Sequence, residues 1–388
     1  MKVLFTVSTY FPQKDGVQNV TGYLAEGLAR RGHDVTVITS HFDLNVPEEE
    51  IYNNVKIKRI KLYTKYGLYL GDKRNYIKLI DEYASNVDVM INVCTQNAFT
   101  DLILKRIKNY KCKKILYKHD IFDFRFSKIN FSSFDSTINK LWKQVRWYIY
   151  YICNKKNFLD YDYVTELHEK CYGYKFFMKK FGIESKIIEN AADEDFFVQK
   201  HNPKFEKPFE KYIINVSNYD DRKNQKLAVK IFLESNISKE IGMVFIGSKK
   251  NKYYNKMEKY ILNIRSKYNL KENEKPIKML YGVDRALVSS FVSNSMLYFM
   301  TSKWEAYPIS LTESMACGIP FITTNVGISR FLLGGVTAYD IGDLKYYLEK
   351  LCNNEELRIE LGKLGKIYAE KNLKINDKVK MLEKMMNE

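Results

Sequence analysis

Short apolar runs and longer amphipathic stretches alternate along the whole chain. Near the start, Lys2–Thr9 alternates apolar and polar residues and predicts a strand, and apolar residues then recur at helical spacing from Val17 to Leu28. Gly32 ends this helix, and Val35–Thr39 predicts a second strand. Further strands are predicted at Val55–Leu62, Val87–Val93, Lys113–Tyr117, Asp162–Thr165, Ser185–Ile188, Lys211–Val216, Met243–Ile246, Ile277–Leu280, Ser295–Met300 and Phe321–Thr323. Helices are predicted between many of them, among others at Leu102–Ile107, Glu169–Phe181, Asp343–Asn353, Glu355–Lys371 and Ile375–Met386. This order predicts an α/β fold with parallel sheets.

The length of 388 residues and the hydrophobic content of 45% allow two domains, each with its own core. We place the boundary near residue 186, which gives domains at 1–186 and 187–370 and a terminal helix within 371–388. The six cysteines are scattered and form no C-x-x-C pair, which argues against a zinc site and favours a reducing compartment. We therefore expect a cytoplasmic protein.

The sequence predicts neither secretion nor a membrane crossing. Met1–Tyr10 is too short and too polar for a signal peptide, and no run of about 18 apolar residues occurs. The formal net charge of +17 attracts polyanions, which include nucleic acid, anionic lipid and phosphorylated small molecules. Charge alone does not choose among these partners.

Two glutamates, Glu305 and Glu313, stand eight residues apart around a predicted helix start. Pro308 is tolerated in a first helical turn, because the N–H that proline lacks would be unpaired there. Gly318 is expected to end the helix. The free N–H groups at the start of such a helix form a site for an anion.

Two simpler interpretations of these glutamates stay open. Ser310 and Glu313 have the S-x-x-E spacing of a capping box, in which Glu313 would only cap its own helix. Glu305 could be a solvated acid near the positive end of the helix. From spacing alone, these interpretations are favoured over a binding site.

The wider stretch 302–320 resembles the E-x7-E motif of retaining glycosyltransferases of the two-Rossmann-domain type, specifically family 4. That motif usually reads S-x-x-E-x-F-P/G-x-x-x-x-E-A-M-A-x-G-x-P-V, and this chain has Ser314 where Ala is usual. The resemblance implies that Glu305 contacts hydroxyls of the donor sugar and that Glu313 holds the ribose hydroxyls of the nucleotide. It also implies that backbone amides approach the diphosphate around Tyr307, Pro308 and Ile309, although Pro308 itself has no N–H.

The start of the chain resembles the same family. Residues 10–12 read Tyr-Phe-Pro, and the Gly pair that usually follows is Asp15 and Gly16 here. Gly16 is expected beside the donor phosphate, whereas the carboxylate of Asp15 would repel a diphosphate unless it is turned away. His119 follows a predicted strand where the family carries a histidine that contacts the donor sugar near the reacting carbon. A lone histidine is more often structural, so this role comes from the resemblance.

The second half carries the family's G-R-L-x-x-x-K-G pattern in altered form. Lys223 matches the lysine that binds the diphosphate, whereas Asn218 stands in place of the arginine and brings no charge. Arg222 either compensates for this loss or is a solvated loop residue, and the second interpretation is favoured. Tyr281–Val283 resembles the F-x-G-x-V turn beside the nucleotide base, which places Val283 there. Ile188–Asp193 resembles the hinge sequence of the family.

Residues 138–156 contain no acid and combine an apolar stripe with basic residues. The stripe, at helical spacing, consists of Ile138, Leu141, Trp142, Val145, Ile149 and Ile152. The basic residues are Lys140, Lys143, Arg146, Lys155 and Lys156. One interpretation is a core helix with a cationic outer face, and an equally weighted one is an interfacial helix on anionic lipid. Stacking of nucleic-acid bases on its aromatic residues is least favoured, because no nucleic-acid module accompanies it.

The resemblance implies two Rossmann-like domains facing a cleft (the GT-B fold), with the C-terminal helix crossing back to the first domain. The N-terminal domain would bind the acceptor and the C-terminal domain the nucleotide sugar. The implied enzyme transfers a hexosyl-type sugar from a nucleotide-diphosphate sugar to an acceptor hydroxyl with retention, without a metal or another cofactor.

The expected acceptor is a glycan or a lipid-linked molecule, as in the synthesis of cell-surface polysaccharide or glycolipid at the inner face of the membrane. Nucleic acid is not an expected partner. Two alternatives stay open: a non-catalytic partner subunit, which Asn218 and Asp15 favour, and a sugar-nucleotide 2-epimerase, whose catalytic acids the sequence does not identify.

Overall fold

The computed structural model describes residues 1–13, 15–43, 45–65, 67–121, 134–198, 202–271 and 273–388, and for 134–140 it describes the backbone only. The chain divides into two compact units: unit 1 comprises Met1–Glu189 and Lys378–Glu388, and unit 2 comprises Asn190–Asp377. The division lies at Glu189 rather than at the predicted residue 186, because Lys186–Ile187 still pairs with the sheet of unit 1. The return to unit 1 begins at Lys378 rather than at residue 371.

Unit 1 contains a sheet of eight strands in the order β10-β9-β8-β7-β1-β2-β4-β3. Its pairings are parallel except that between the edge strand β3 and β4, and β5 and β6 form a separate antiparallel hairpin. The strands are β1 (Lys2–Thr6), β2 (Asp34–Ser40), β3 (Glu49–Tyr52), β4 (Val55–Ile60), β5 (Leu62–Lys65), β6 (Leu68–Gly71), β7 (Val89–Val93), β8 (Lys113–Tyr117), β9 (Tyr163–Glu166) and β10 (Lys186–Ile187). The helices are α1 (Gly16–Arg30), α2 (Lys73–Ala84), α3 (Ala98–Asp101), α4 (Phe134–Cys153), α5 (Lys155–Leu159) and α6 (Tyr172–Phe181).

Unit 2 contains a parallel sheet of six strands in the order β13-β12-β11-β14-β15-β16. Its strands are β11 (Tyr212–Val216), β12 (Gly242–Gly247), β13 (Ile277–Tyr281), β14 (Leu297–Met300), β15 (Phe321–Thr324) and β16 (Gly335–Ala338). Its helices are α7 (Glu194–Val198), α8 (Gln225–Glu234), α9 (Lys252–Lys267), α10 (Arg285–Ser293), α11 (Ile309–Ala316), α12 (Ile341–Asn353) and α13 (Glu355–Asn372). The last helix, α14 (Ile375–Asn387), begins in unit 2 and continues in unit 1.

These sheets confirm the predicted α/β class and its parallel strands. The prediction of a helix at Leu102–Ile107 is wrong, because α3 ends at Asp101 and a 3₁₀ helix then spans Leu104–Asn109. No helix within the described ranges is both long and apolar enough to cross a membrane.

The C-terminal part of α14 packs within unit 1, as the resemblance implies. Glu383 accepts a hydrogen bond from Arg31 Nε at 2.8 Å and lies 2.9 Å from the ring of His33. The side chain of Val379 lies directly on Gly27 of α1, where a Cβ would come within 2.4 Å of it. Only glycine therefore allows these two helices to approach this closely.

Helix α4 buries the face opposite to the predicted stripe. Trp147 and Tyr151 are buried, and the hydroxyls of Tyr151 and Thr95 lie 2.6 Å apart. The described stripe is exposed: Leu141 by 46%, Trp142 by 69%, Val145 by 37%, Ile149 by 53% and Ile152 by 40%. The side chains of Ile138 and Lys140 lie outside the described ones. The interpretation as a core helix whose outer face is only cationic is therefore wrong, because the outer face combines these apolar residues with the exposed Lys143.

Asp101 joins α4 to the rest of unit 1. Its carboxylate accepts hydrogen bonds from the hydroxyls of Tyr150 on α4 and Tyr69 on β6. Burial raises the pKa of Asp101 to about 7, although these hydrogen bonds and the nearby charge of Arg146 act in the opposite direction. A carboxyl group that is hard to ionise thus lies under the helix.

We expect Gly27→Ala to lower the free energy of unfolding. Overpacking costs about 1–3 kcal/mol, which outweighs the roughly 1 kcal/mol that alanine gains over glycine in a helix. Val379→Ala removes the methyl groups that clash, so Gly27→Ala should become stabilising in that background. Chemical denaturation of the four proteins measures both effects, and equal destabilisation in both backgrounds would contradict the contact.

We expect Asp101→Asn to become more stabilising relative to the wild type as the pH rises. The unfolded Asp101 releases its proton near pH 4 and the folded one near pH 7, so the wild type loses stability from this group as pH rises between these values. Asparagine has no such step. Denaturation of both proteins at pH 5 and pH 8 measures the difference, and a difference independent of pH would show that Asp101 ionises normally.

Candidate active site

In both sheets the strand order reverses at one point. In unit 1 this point lies between β1 and β7, and in unit 2 it lies between β11 and β14. Ligands of open parallel sheets bind outside the carboxyl ends of the strands at such a point. The loops that leave β11 and β14 carry Lys223 and Glu305, so the topology brings these two predicted residues to one place.

Lys223 and Glu305 form an ion pair, with 2.6 Å between Nζ and Oε1. The two loops are also joined through their backbones, because the N–H of Lys303 donates to the carbonyl of Arg222 at 2.8 Å. The site thus presents an ammonium group and a carboxylate side by side. An ammonium group can bind phosphate oxygens, and a carboxylate can accept hydrogen bonds from sugar hydroxyls.

The turn around Lys223 explains a departure from the family pattern. Asn224 stands where the pattern has glycine, and its φ of 54° lies in the left-handed region that asparagine tolerates. The buried Gln225 then donates to the hydroxyl of Ser217 and to the carbonyl of Asn218, both at 2.9 Å. Asn218 therefore lies at the carboxyl end of β11 in a fixed loop.

Arg222 lies at the outer side of this loop. Its side chain is about half exposed, with Nη2 at 3.9 Å from the carboxylate of Asp220. The guanidinium lies 5.9 Å from the ring of Trp304. These contacts agree better with the solvated interpretation of Arg222 than with a fixed phosphate ligand.

Helix α11 begins at Ile309, with Pro308 as its N-cap residue. Proline has no side-chain acceptor for the first-turn amides, so these remain suited to an external anion. At the other end, Gly318 has a φ of 72°, and the N–H groups of Gly318 and Ile319 donate to the carbonyls of Met315 and Ser314 at 2.9 Å. This Schellman motif confirms Gly318 as the predicted helix end.

The carboxylate of Glu313 is buried and binds a side chain outside its own helix. It accepts a hydrogen bond from Arg285, whose Nε also binds Asp193 at 3.0 Å. The capping-box interpretation is therefore wrong, because Ser310 is not the N-cap residue and Glu313 binds a side chain on α10. Burial raises the pKa of Glu313, and the positive charge of Arg285 opposes this rise.

Arg285 is the contact that sequence reasoning missed. It is the first residue of α10, directly after the turn that contains Val283. The Val283 turn begins with Gly282, whose φ is 66° and whose N–H donates to Gly247 at 3.1 Å. The signal in the sequence was a lone arginine after this turn, and only the fold places it on Glu313.

The segment between the two glutamates is held by its backbone. The carbonyl of Tyr307 accepts a hydrogen bond from Asn190 Nδ2 at 2.8 Å. Gly327 lies against the same segment, with a φ of 53° and a Cβ position only 2.1 Å from the carbonyl oxygen of Ala306. Gly327 therefore allows a close approach that fixes Glu305.

In unit 1, Gly16 and His119 follow the carboxyl ends of β1 and β8. Gly16 is exposed at the start of α1, and Asp15 caps this helix by accepting the N–H of Gln18 at 2.8 Å. His119 is buried, and its Nε2 has no hydrogen-bond partner among the described residues. Burial lowers the pKa of His119 to about 4, so the ring is neutral at pH 7.

All other predicted site residues lie in unit 2. Among the described residues, no group of three or more His, Cys, Asp or Glu side chains is placed to hold a metal ion.

The chain is similar to known proteins over nearly its whole length. The Glycosyltransferase Family 4 model matches residues 14–161, and the model of glycosyl transferases group 1 matches residues 197–368. N-acetyl-alpha-D-glucosaminyl L-malate synthase of Bacillus anthracis is 22% identical over 371 residues, which cover 91% of this chain and 89% of that protein.

Two solved structures share the fold at low sequence identity. Sucrose-phosphate synthase from Thermosynechococcus elongatus has a TM-score of 0.74 at 14% identity, covering 100% of this chain and 98% of that one. WaaG, a glycosyltransferase involved in lipopolysaccharide biosynthesis, has a TM-score of 0.67 at 14% identity, covering 99% of each chain. The chain, with its two Rossmann-like units, therefore belongs to the family 4, group 1 glycosyltransferases of the GT-B fold.

Proposed function

We propose that this glycosyltransferase moves a hexosyl-type sugar from a nucleotide-diphosphate sugar to an acceptor hydroxyl, with retention at the anomeric carbon. The observation that carries the proposal is the ion pair of Lys223 and Glu305 at the strand-order reversal of unit 2, beside the open start of α11. A cation and free amides suit a diphosphate, and a carboxylate suits sugar hydroxyls.

The surroundings of several predicted residues support a role in this transfer. Lys223 and the amides near Tyr307 and Ile309 would stabilise the negative charge that develops on the leaving diphosphate. Glu313, held by Arg285, would accept hydrogen bonds from the ribose hydroxyls. Because Arg285 occupies one side of that carboxylate, the other oxygen is the expected ribose acceptor.

Glu305 and His119 would orient the sugar. The neutral ring of His119 can accept or donate a hydrogen bond without adding a positive charge. A phosphate oxygen of the donor would take the proton of the acceptor hydroxyl, so no covalent enzyme intermediate is proposed. Neither a metal ion nor another cofactor takes part in this scheme.

The proposed acceptor is a glycan or a lipid-linked molecule in cell-surface polysaccharide or glycolipid synthesis. The relatives support a range of acceptors, since one is an N-acetyl-alpha-D-glucosaminyl L-malate synthase and another is involved in lipopolysaccharide biosynthesis. An acceptor in cell-surface synthesis is also supported by the exposed apolar side of α4, which suits binding to a membrane.

The exposed side of α4 suits the surface of an anionic membrane. Its outward apolar residues are between 37% and 69% exposed, while the opposite side is fixed in the core by Trp147 and Tyr151. Arg146 donates to the carbonyl of Gly67, which adds the tip of the β5–β6 hairpin and its exposed Leu68 to the same surface. We call this surface, consisting of the α4 stripe and the hairpin tip, the α4 face.

Charge supports the same partner. Residues 138–156 contain no acid, and Lys155 and Lys156 are exposed next to α4. Apolar side chains would enter the headgroup region while the lysines bind anionic lipid, each for about 1 kcal/mol. The proposed location is therefore the inner face of the cell membrane.

We expect Glu313→Ala to raise the dissociation constant of the nucleotide and Lys223→Ala mainly to lower kcat. The first change removes the ribose acceptor, and the second removes charge stabilisation of the leaving group, worth about 100-fold in rate or more. Calorimetric binding of the donor and initial rates of transfer measure the two effects. Leu262→Ala, an exposed apolar residue on α9, is the matched control that should change neither. Unchanged rates of transfer in both Glu313→Ala and Lys223→Ala would contradict the proposed roles of these residues.

We expect Trp142→Ser combined with Ile149→Ser to weaken binding to vesicles of phosphatidylglycerol and phosphatidylcholine by about tenfold or more, because each side chain loses its burial in lipid. Leu262→Ser with Ile367→Ser, which removes two exposed apolar residues of unit 2, is the matched control. Lys155→Glu with Lys156→Glu should weaken binding and reduce its dependence on salt.

Flotation of the vesicles measures the bound fraction. Equal flotation of all variants would contradict the membrane proposal. Sedimentation of the wild type as a dimer, with Trp142→Ser and Ile149→Ser sedimenting as a monomer, would instead show that the α4 face is an interface between copies of the chain.

A further inference from the structure

A buried ion pair lies next to His119 and has no role in the scheme above. Lys118 and Glu166, at the carboxyl ends of the neighbouring strands β8 and β9, both have fully buried side chains. Their Nζ and Oε2 atoms lie 3.0 Å apart. A buried ion pair is often no more stable than apolar residues of the same volume, so stability alone does not explain it.

Glu166 also holds the backbone that follows His119. Its Oε1 accepts the N–H of Asp120 at 2.8 Å and that of Leu167 at 3.1 Å. Lys118 is fixed from a second side, because its Nζ lies 3.5 Å from the centre of the Phe177 ring. The carboxylate is thus oriented by a cation and in turn orients the residue after His119.

Asp120 adopts a left-handed backbone conformation that these hydrogen bonds hold in place. Its φ is 67°, in a region that aspartate tolerates better than most residues because its short side chain can bind the nearby backbone. Its side chain accepts the N–H groups of Ile121 at 2.8 Å and Gly173 at 2.7 Å. A Cβ at Gly173 would lie 2.4 Å from Glu166 Oε2, so the pocket is closed around these carboxylates. The turn sets the direction in which the chain, and with it His119, leaves β8.

We propose that Glu166, oriented by Lys118, is a positioning residue that fixes the ring of His119 through the left-handed turn at Asp120. This inference rests on the proposed role of His119 in sugar transfer. Glu166 acts only through His119 and touches neither donor nor acceptor.

The test compares two double variants of the full-length protein. Lys118→Met with Glu166→Leu removes both charges of the pair together, so neither partner is left without the other, and it also removes the acceptor of the Asp120 N–H. Lys118→Gln with Glu166→Gln removes the charges but keeps an amide oxygen as acceptor. In the first variant kcat should fall about tenfold while the KM for the donor stays unchanged. The second variant should keep most of the wild-type kcat.

A cycle with His119→Ala separates positioning from general damage. If Glu166 acts through His119, adding Lys118→Met with Glu166→Leu (the Met/Leu variant) to His119→Ala should lower kcat by less than about twofold. Asp81→Asn, which breaks the solvent-accessible ion pair with Arg106 on another part of unit 1, is the control and should leave kcat unchanged.

The second readout does not depend on activity. The ring signals of His119, identified by their loss in His119→Ala, should not titrate above about pH 5 in the wild type, since burial holds the pKa of His119 at about 4. In the Met/Leu variant the titration midpoint should rise toward about 6.5 as the ring gains access to water. In the Gln/Gln variant it should stay low.

An unchanged His119 titration in the Met/Leu variant, or an equal loss of kcat with and without His119, would overturn the positioning role. If the wild type transfers no sugar, the proposed function fails, and the titration alone decides whether Glu166 positions the ring.

Discussion

The ion pair of Lys223 and Glu305 sets the chemistry of the second unit. It joins the loops that leave β11 and β14, where the order of the parallel strands reverses. The two groups lie 2.6 Å apart, and each still has bonding capacity for a ligand. The backbone of the same loops supports the pair through Arg222, Lys303 and the close approach of Gly327 to Ala306. An anion and a hydroxyl are the kinds of ligand group that match a cation beside a carboxylate.

Charged side chains are used in the same way at three places along the carboxyl edges of the sheets. Arg285 orients Glu313, Lys223 orients Glu305, and Lys118 orients Glu166. In each case a cation fixes the orientation of a carboxylate. Glu313 and Glu305 each keep a second oxygen that can bind a ligand, whereas Glu166 uses its second oxygen to hold the backbone of Asp120 and Leu167. Burial makes each carboxylate costly to leave unpaired, so the pairs are kept together in the folded chain. Each of these carboxylates is therefore held in place by a cation within its own unit.

Periodicity predicted the parallel sheets, and the family pattern predicted which loops carry Lys223, Glu305 and His119. The pairing of Glu313 with Arg285 was not predicted, because the two residues lie on different helices that only the sheet order brings together. The outward direction of the α4 stripe could not be predicted either, since that helix is apolar on both sides and periodicity does not say which side is buried. The carboxylate of Asp15 was expected to repel a phosphate, but in the structure it caps α1. This cap can be recognised only from the backbone dihedral angles of Asp15 and not from the composition of the loop. Local chemistry was thus readable from the sequence, while long-range partners were not.

Thermal unfolding with a panel of UDP-, GDP-, ADP- and dTDP-sugars tests the nucleotide-sugar site most directly. A ligand at about 100 times its dissociation constant adds roughly 2.7 kcal/mol to the folded state, which raises Tm by a few degrees for domains of this size. Stabilisation by one nucleotide class, lost in Glu313→Ala, is the predicted result. Equal unfolding temperatures with every sugar nucleotide would contradict the donor site and favour a non-catalytic partner subunit in which Asn218 has replaced a needed charge.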